Sequence, residues 1–477
     1  MNADLQQLIA ALPYDDSADD DAAALALVSQ RAIPTGRLAR LWTLGTIQAQ
    51  IAAAYAALWV RSLFDRSDRH AERLVETHMA AAMRILGGMV YLRGAVMKVG
   101  QALATYPNLV PDEIAATLAR LHFDAPPMHF ALVREQLCNE LDRELGEVFE
   151  EFDQRAFAAA SLGQVHRGRL RSGERVAVKI QYPGIAQTIR SDLQNLIAVL
   201  APLRFTREWE NVSAQLDEIR DVLGAEVDYQ AEAASLEHAR SLFTDDDGIV
   251  IPHVYRDLST SRVLTMEHIE GRHLDAWLAT NPSQAQRDAF GTKMYVIALR
   301  MYYSGRCAYA DPHPGNYLFL DDGRLALLDF GCVPRYDEAE WELLSEMDAA
   351  FYRDHDALRA ALTRFCDLSA DELNDESRMS VLEESFRWMI EPLLHRPFDF
   401  GDPAHLRAEV DIVARAVAGR YTRSHPMQFY ISRTVLGLRA LLHRMKARVD
   451  VRGVHARELP AAGWSWVDQL LREGAEL

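Results

Sequence analysis

The sequence predicts an α+β protein with two lobes, a small strand-rich lobe followed by a larger helical lobe. Three observations predict it. Residues 176–179 read VAVK, an apolar strand that ends in a lysine. Residues 317–328 form two alternating apolar runs joined by the turn pair Asp322-Gly323, which is a strong hairpin signal. From Asp275 onward the remaining pattern is helical, and strands and helices in separate blocks are typical of α+β proteins.

The most informative stretch runs from Tyr309 to Gly331 and reads YADPHPGNYLFLDDGRLALLDFG. Within it Asp311 is followed by Asn316, and the hairpin then leads to the sequence DFG, which begins with Asp329. Phosphoryl transfer requires a carboxylate near the acceptor hydroxyl, and an amide and a second carboxylate that hold Mg²⁺ against the phosphates. This layout is that of a kinase catalytic centre. We therefore predict that Asp311 is catalytic and that Asn316 and Asp329 bind the metal; the alternative is that all three are ordinary turn residues.

The residues before this centre contain patterns that are typical of the nucleotide-binding part of a kinase. Lys179 ends the VAVK strand, where kinases place an ammonium group on the α- and β-phosphates. Upstream, residues 157–166 read FAAASLGQVH and occupy the place of the loop that covers the phosphates. Alanine stands where an ordinary kinase has glycine, and it does not reach the φ > 0 states that glycine adopts freely, so we expect a stiffer loop. The residues predicted to contact the nucleotide there are Ala158, Ala159, Ala160, Ser161 and Gly163.

Short patterns predict the rest of the small lobe. Helices are expected at residues 129–145, 185–203 and 212–238, and strands at 157–168, 175–181, 249–254 and 261–268. The last strand leads to the hinge, so Met266 would border the adenine pocket and Glu267 and Ile269 would offer backbone hydrogen bonds. Soon after DFG a capped helix begins near Asp337, which leaves no room for a long activation segment. The platform on which a protein kinase lays out its peptide substrate is therefore not expected.

These motifs resemble those of the ABC1/UbiB/COQ8 atypical kinases, the family that includes the AarF-like proteins. The likeness rests on KVGQ at 98–101, LVPDE at 109–113, the alanine-rich segment, VAVKIQYPGI at 176–185, EVDYQAEAA at 226–234 and DPHPGN at 311–316. It implies a bilobal protein-kinase-like fold with an N-terminal helical extension that carries the K-x-G-Q motif. One departure is visible, because Tyr309 stands where many members have histidine.

The resemblance implies further roles. Glu232 would be the ion-pair partner of Lys179, and Glu226 competes with it for that role. In the family the K-x-G-Q helix lies across the mouth of the active site, which would exclude a protein substrate and restrict transfer to small acceptors or water. Lys98 would then meet one of two acidic residues in the EVD sequence. The implied regulatory residues are Lys98, Gly100, Gln101, Glu226 and Asp228.

The expected domain organisation has four parts. Residues 1–93 would form an N-terminal helical extension, partly disordered at its start, and residues 94–127 the K-x-G-Q segment. Residues 128–266 would form the small lobe with a helical insertion, and residues 267–477 the helical lobe with the catalytic loop and DFG. The stretch from Leu41 to Val60 is uncharged. Three interpretations stay open for it: a membrane span, an amphipathic helix that packs on the protein or touches a membrane, or a plain helix of the folded domain.

Composition sets outer limits on function. The chain has 477 residues and a formal net charge of −18, which argues against binding nucleic acid. Its four cysteines are scattered without a C-x-x-C pair, so neither a disulfide framework nor a zinc site is indicated. The N-terminus is acidic where a signal peptide would need basic residues. We expect a cytoplasmic protein with at most peripheral contact at the inner membrane face.

The function expected from motifs and resemblance together is that of an ATP-dependent atypical kinase or ATPase of the UbiB type. It would bind ATP or ADP with Mg²⁺ and support isoprenoid-quinone biosynthesis or lipid-linked metabolism. A lipid, a quinone precursor and quinone-biosynthesis enzymes are the implied partners. Two alternatives stay open: a small-molecule phosphotransferase resembling aminoglycoside or choline kinases, and a pseudokinase scaffold that binds nucleotide without turnover.

Overall fold

A computed structural model describes residues 128–160, 162–187, 189, 224, 227–351, 355–366, 368–419, 421 and 426–461. Predictions for other parts of the chain lie outside the described residues. These include the three K-x-G-Q residues Lys98, Gly100 and Gln101, as well as Ser161, Glu226 and the uncharged stretch at 41–60. The four-part domain organisation therefore stays a prediction.

The small lobe is built on an antiparallel sheet. It begins with helices α1 (Phe130–Leu141) and α2 (Leu145–Val148), followed by strands β1 (Phe149–Phe152), β2 (Ala158–Ala160), β3 (Gly163–Leu170) and β4 (Arg175–Gln181). Helix α3 (Tyr229–Ser241) and strands β5 (Ile249–Val250) and β6 (Val263–Glu267) come next. The strand order is β1-β3-β4-β6, and β2 pairs with β3.

Side chains alternate along a strand, so the residues of β4 face two different hydrophobic clusters. Val176, Val178 and Ile180 are fully buried in one cluster, which they share with residues of α1. Ala177 belongs to the second cluster, which includes residues of α3 and of the large lobe. Lys179 has the same parity as Ala177, so the alternation places it on the side of α3.

The alanine-rich segment forms a tight hairpin, whereas a single strand was predicted at 157–168. Ala158 pairs with Val165, and Ala160 pairs with Gly163. A side chain at Gly163 would not fit, since a Cβ atom there would lie 2.0 Å from the carbonyl oxygen of Ile180. Glycine at this position is therefore explained by the close approach of β3 and β4.

Two further predictions are corrected by the structure. The helix predicted at 212–238 is interrupted, because Asp228 is extended and its carboxylate accepts a hydrogen bond from the Gln230 backbone at 3.0 Å. That side chain caps α3, which begins at Tyr229. The strand predicted at 249–254 has only two residues, and this β5 pairs in parallel with a hairpin strand of the large lobe.

The large lobe is mainly helical. It contains α4 (Leu274–Leu278), α5 (Gln284–Tyr303), the hairpin β7 (Tyr317–Phe319) and β8 (Leu325–Leu327), α6 (Glu338–Phe351), α7 (His355–Phe365), α8 (Ala370–Leu373) and α9 (Glu376–Leu394). Strand β9 (Phe398–Asp399), α10 (Pro403–Ala418), α11 (Pro426–Met445), β10 (Arg448–Val449) and α12 (Val451–Ala461) complete it. Within the described part of the chain, every helix is too short or too polar to cross a membrane.

The segment after DFG is short and is hydrogen-bonded to residues 308–310, the stem of the predicted catalytic loop at 311–316. Ala308 donates a backbone hydrogen bond to Pro334 at 3.0 Å, and Ala310 donates one to Cys332 at 3.1 Å. Helix α6 follows at once. Its start is fixed by Asp337 and Glu340, whose side chains accept hydrogen bonds from each other's backbone N–H groups. This agrees with the capped helix predicted near Asp337.

Candidate active site

A buried cluster of charge lies beside the sheet. The Nζ atom of Lys179, on β4, is 2.8 Å and 2.9 Å from the two carboxylate oxygens of Glu232, in the first turn of α3. The same Nζ is 3.2 Å from Oδ2 of Asp329. Lys179 is 6% exposed and Glu232 is 4% exposed. Among the described residues, the carboxylates that contact Lys179 are therefore those of Glu232 and Asp329.

Two neighbouring carboxylates keep Lys179 charged. Burial by itself lowers the pKa of Lys179, but the carboxylates of Asp329 and Glu232 outweigh burial and hold that pKa well above the usual lysine value. Burial raises the pKa of Glu232, and the adjacent ammonium group opposes the rise. We conclude that Lys179 is a fixed cation at neutral pH, as a phosphate-binding lysine must be.

The catalytic loop holds Asp311 and Asn316 together. A 3₁₀ turn at Pro314–Asn316 begins at His313, whose Nδ1 accepts a hydrogen bond from the Gly315 backbone at 3.1 Å. The side-chain amide of Asn316 donates to the backbone oxygen of Asp311 at 2.9 Å and to its Oδ2 at 3.2 Å. His313 therefore helps to shape this loop.

The hairpin carries the chain from Asn316 to the DFG sequence. Strands β7 and β8 pair in register, with Leu318 opposite Ala326. Phe330 is buried, and its ring centroid lies 5.8 Å from that of Tyr309 in an edge-to-face contact. Tyr309 thus packs the catalytic loop against DFG.

Asn316 and Asp329 fit a magnesium ion by the chemistry of their donor atoms. Mg²⁺ prefers carboxylate and carbonyl oxygens, and it is usually held by one or two carboxylates together with substrate phosphates. The amide nitrogen of Asn316 is engaged by Asp311, which leaves its Oδ1 oxygen as the atom that can bind a metal. No group of three or more His, Cys, Asp or Glu side chains is arranged to hold a metal in the described residues. Phosphate oxygens would therefore have to complete the coordination.

The residues predicted to contact the nucleotide lie in strands β2, β3 and β6 and just after β6. Ala158 and Ala159 are exposed on β2, while Gly163 is buried in β3. Met266 is in β6, opposite Ala177 of β4. The backbone N–H of Glu267 already donates to His253 at 2.8 Å. The backbone C=O of Glu267 and the N–H of Ile269 are therefore the groups left as candidates to bind a base.

Helix α11 contributes residues that the sequence analysis missed. Arg433 lies with its Nη2 atom 3.4 Å from Oδ1 of Asp311, and the hydroxyl of Thr434 donates to the backbone oxygen of Tyr309 at 2.9 Å. Gly437 faces Pro312, which follows Asp311 in the catalytic loop. These contacts join residues more than a hundred positions apart within an ordinary helical pattern, so no local motif could have indicated them.

Substitution of Gly437 with Ala is expected to displace the catalytic loop. A Cβ atom at Gly437 would lie 2.2 Å from Cγ of Pro312, whose ring cannot rotate away. We expect the loss of stability typical of overpacking, about 1–3 kcal/mol. We also expect nucleotide turnover to fall more than nucleotide affinity. Thermal unfolding and steady-state kinetics measure the two effects. Gly146→Ala is the control, because a Cβ there meets nothing within 4 Å; equal behaviour of the two variants would contradict the contact.

The sheet with Lys179, the helix with Glu232 and the hairpin between Asn316 and Asp329 define a kinase-like fold. Residues 120–362 match the ABC1 atypical kinase-like domain. This chain belongs to the ABC1/UbiB/COQ8 family of atypical kinases, as the motifs had indicated.

Relatives agree with this assignment. The chain is 34% identical over 286 residues to the uncharacterized protein slr0889 of Synechocystis sp., a match that covers 57% of this chain and 70% of that protein. It is 32% identical over 318 residues to the mitochondrial atypical kinase coq-8 of Caenorhabditis elegans, covering 65% of this chain and 42% of that protein. Among solved structures, Rv3197 of Mycobacterium tuberculosis, in complex with erythromycin, superposes with a TM-score of 0.54 at 24% identity, covering 84% of this chain and 100% of the other.

Proposed function

We propose that this protein binds ATP or ADP with Mg²⁺ between its lobes and transfers the γ-phosphoryl group to a small acceptor or to water. The observation that carries the proposal is the buried contact of Lys179 with both Glu232 and Asp329. An ion pair from sheet to helix that also reaches the DFG aspartate is the arrangement on which kinase catalysis depends. Lys179 and Glu232 are buried and Asp329 is partly buried, and burying charge has a cost that a purely structural lobe does not require.

Each residue has a role in this proposal. Lys179 contacts the α- and β-phosphates, and Asp311 accepts the proton of the acceptor hydroxyl. Asn316 and Asp329 hold the metal, and Arg433 adds positive charge beside Asp311. The hinge residues Met266, Glu267 and Ile269 receive the base, and the alanine-rich hairpin with Ser161 covers the phosphates.

The segment after DFG bears on whether the phosphoryl acceptor is a peptide or a small molecule. This segment pairs with the stem of the catalytic loop, and α6 begins at Glu338. No extended segment is left there to lay out a peptide, which favours a small acceptor or water. The family resemblance adds the expected setting, which is isoprenoid-quinone biosynthesis with a lipid or quinone precursor and biosynthetic enzymes as partners. The proposed location is cytoplasmic, with peripheral membrane contact at most.

Two other functions predict different results. A pseudokinase scaffold would bind nucleotide without turnover, and the presence of Asp311, Asn316 and Asp329 weighs against it. A phosphotransferase of the aminoglycoside or choline kinase type would phosphorylate a soluble amine or alcohol. The K-x-G-Q motif of the sequence weighs against that alternative.

The test is nucleotide turnover by the purified full chain. We expect turnover of ATP in the presence of Mg²⁺, its loss on addition of EDTA, and its change on addition of anionic lipid vesicles. Calorimetry measures nucleotide binding in the same samples. Binding without turnover under every condition would favour the pseudokinase, and failure to bind ATP or ADP with Mg²⁺ would overturn the proposal. Quinone content of cells that lack the protein tests the pathway separately.

A further inference from the structure

A cavity of about 160 Å³ lies inside the large lobe, beneath the catalytic loop. Most of its lining is apolar or aromatic and comes from α5, α9 and α11. Leu299, Tyr302, Ile390, Val435 and Leu438 are representative lining residues. An engineered protein cavity of about 150 Å³ with a similar apolar lining binds benzene. By that comparison this cavity accommodates one aromatic ring.

Three polar atoms in the lining lack hydrogen-bond partners among the described residues. They are Oδ2 of Asp348 and the hydroxyls of Tyr309 and Tyr336, and all three are buried. The Asp348 side chain interacts with the hydroxyls of Tyr302 and Tyr303, which leaves Oδ2 as its unsatisfied oxygen. Buried polar groups in folded proteins are nearly always hydrogen-bonded, so an exception requires an explanation. A carboxylate oxygen only accepts, so a molecule that satisfies it must bring a donor.

Asp348 and Arg439 together bear on the charge of a ligand that fits the cavity. Burial raises the pKa of the Asp348 carboxyl group to about 7, so above neutral pH this group is an ionised acceptor whose charge the cationic Arg439 in the same lining offsets. Arg439 also lines the cavity, and its guanidinium group already donates to the backbone oxygens of Trp388 and Met389 and contacts His405. A cation would therefore face an arginine across the cavity. An uncharged molecule fits the lining better.

The cavity contacts both sides of the catalytic machinery. Tyr309, two residues before Asp311, lines it, and so does Thr434, whose hydroxyl binds the backbone oxygen of Tyr309. Tyr336 belongs to the segment after DFG, and it donates a backbone hydrogen bond to Arg306 at 2.9 Å. A molecule in the cavity would thus touch the supports of Asp311 and the chain that leaves DFG.

We propose that this cavity is a binding site for an uncharged molecule about the size of one aromatic ring that carries one hydrogen-bond donor, and that its occupation restrains the catalytic loop. The donor binds Oδ2 of Asp348, and the ring packs among the side chains of α5, α9 and α11. The site is separate from the cleft between the lobes, so its ligand binds together with nucleotide. Binding does not depend on the proposed function, whereas the effect on the loop does.

Three probes of similar size test the binding site. Benzyl alcohol carries a donor, anisole carries only an acceptor, and ethylbenzene carries neither. Their affinities for the full chain are measured by ligand-detected NMR at pH 8, where the carboxylate of Asp348 can only accept, with and without saturating ATP and Mg²⁺. We expect benzyl alcohol to bind about fivefold more tightly than the other two, the factor that corresponds to one net hydrogen bond. Equal affinities would overturn the assignment of the donor, and competition with ATP would overturn the location.

Filling the cavity should abolish binding. Ala298 on α5 lines the cavity, so Ala298→Leu places extra carbon atoms in it. Ala285→Leu makes the same change at an exposed position of the same helix and should bind all probes as the parent does. Val435→Leu, on α11, is the second filling variant if Ala298→Leu does not fold. Unchanged binding by a folded filling variant would refute the site.

Turnover tests the second half of the proposal. Benzyl alcohol at saturation should change the kcat of ATP turnover in the parent and in Ala285→Leu, and leave kcat unchanged in Ala298→Leu. Binding without any change of kcat would refute the coupling to the catalytic loop and leave the site itself standing. If the parent has no turnover, the failure is that of the proposed function, and the NMR affinities still decide whether the cavity binds.

Discussion

Asp329→Asn is expected to abolish the Mg²⁺-dependent part of nucleotide binding. Asp329 is the carboxylate of the proposed metal pair, and asparagine removes its charge at constant shape. Lys179 keeps Glu232 as its partner in this variant, so the fold should persist. A ligand that binds only the folded state at a hundred times its Kd stabilises that state by about 2.7 kcal/mol. The parent should therefore show a clear rise in Tm with ATP and Mg²⁺, and the variant should show none beyond that with ATP alone.

Asp322→Asn is the matched control for this prediction. It makes the same chemical change at the turn of the β7–β8 hairpin, where the side chain bonds to nearby Arg324. Its Mg²⁺-dependent rise in Tm should equal that of the parent. If Asp329→Asn retained that rise as well, the metal ligand would have to be another residue.

Lys179→Met is expected to remove nucleotide turnover and also to destabilise the protein. Loss of one electrostatic donor at a reacting centre typically lowers kcat by about 10²–10³. Methionine keeps the apolar stem of lysine, so the substitution preserves part of the packing. The loss of charge has a larger effect. Glu232 is 4% exposed and would be left without its cation, and removing one partner of a buried pair costs about 3–5 kcal/mol.

A double variant separates the two effects. Lys179→Met combined with Glu232→Gln removes both buried charges of the pair, so stability should recover relative to Lys179→Met alone while turnover stays lost. Chemical denaturation measures the free energy of unfolding, and ATP hydrolysis measures turnover. Recovery of turnover together with stability would mean that Lys179 has only a structural role. Retention of full turnover in the single variant would point to another lysine, of which Lys98 is the candidate from the motifs.

Local sequence was sufficient for the elements of the site. Residues close together in the chain determine three of these elements, so the sequence predicts them: the VAVK strand, the DG turn of the hairpin and the capped helix after DFG. β4 occupies Arg175–Gln181 as predicted, and the kinase-like fold and the family are confirmed. The resemblance also named Glu232, which lies against Lys179. The contact of Lys98 with Glu226 or Asp228 stays a prediction, since Lys98 lies outside the described residues.

Contacts between residues far apart in the sequence became evident only from the tertiary structure. Gly163 is required by the backbone of Ile180, β5 joins a hairpin of the other lobe, and Arg433 reaches Asp311 from α11. The cavity beneath the catalytic loop is likewise formed by five helices and two loop segments that no single stretch contains. These contacts depend on how the helices pack against one another. A pattern of apolar residues predicts that a face is buried, but it does not predict which element covers that face. The sequence by itself therefore determined which chemical groups enter the site, and packing determined what supports them.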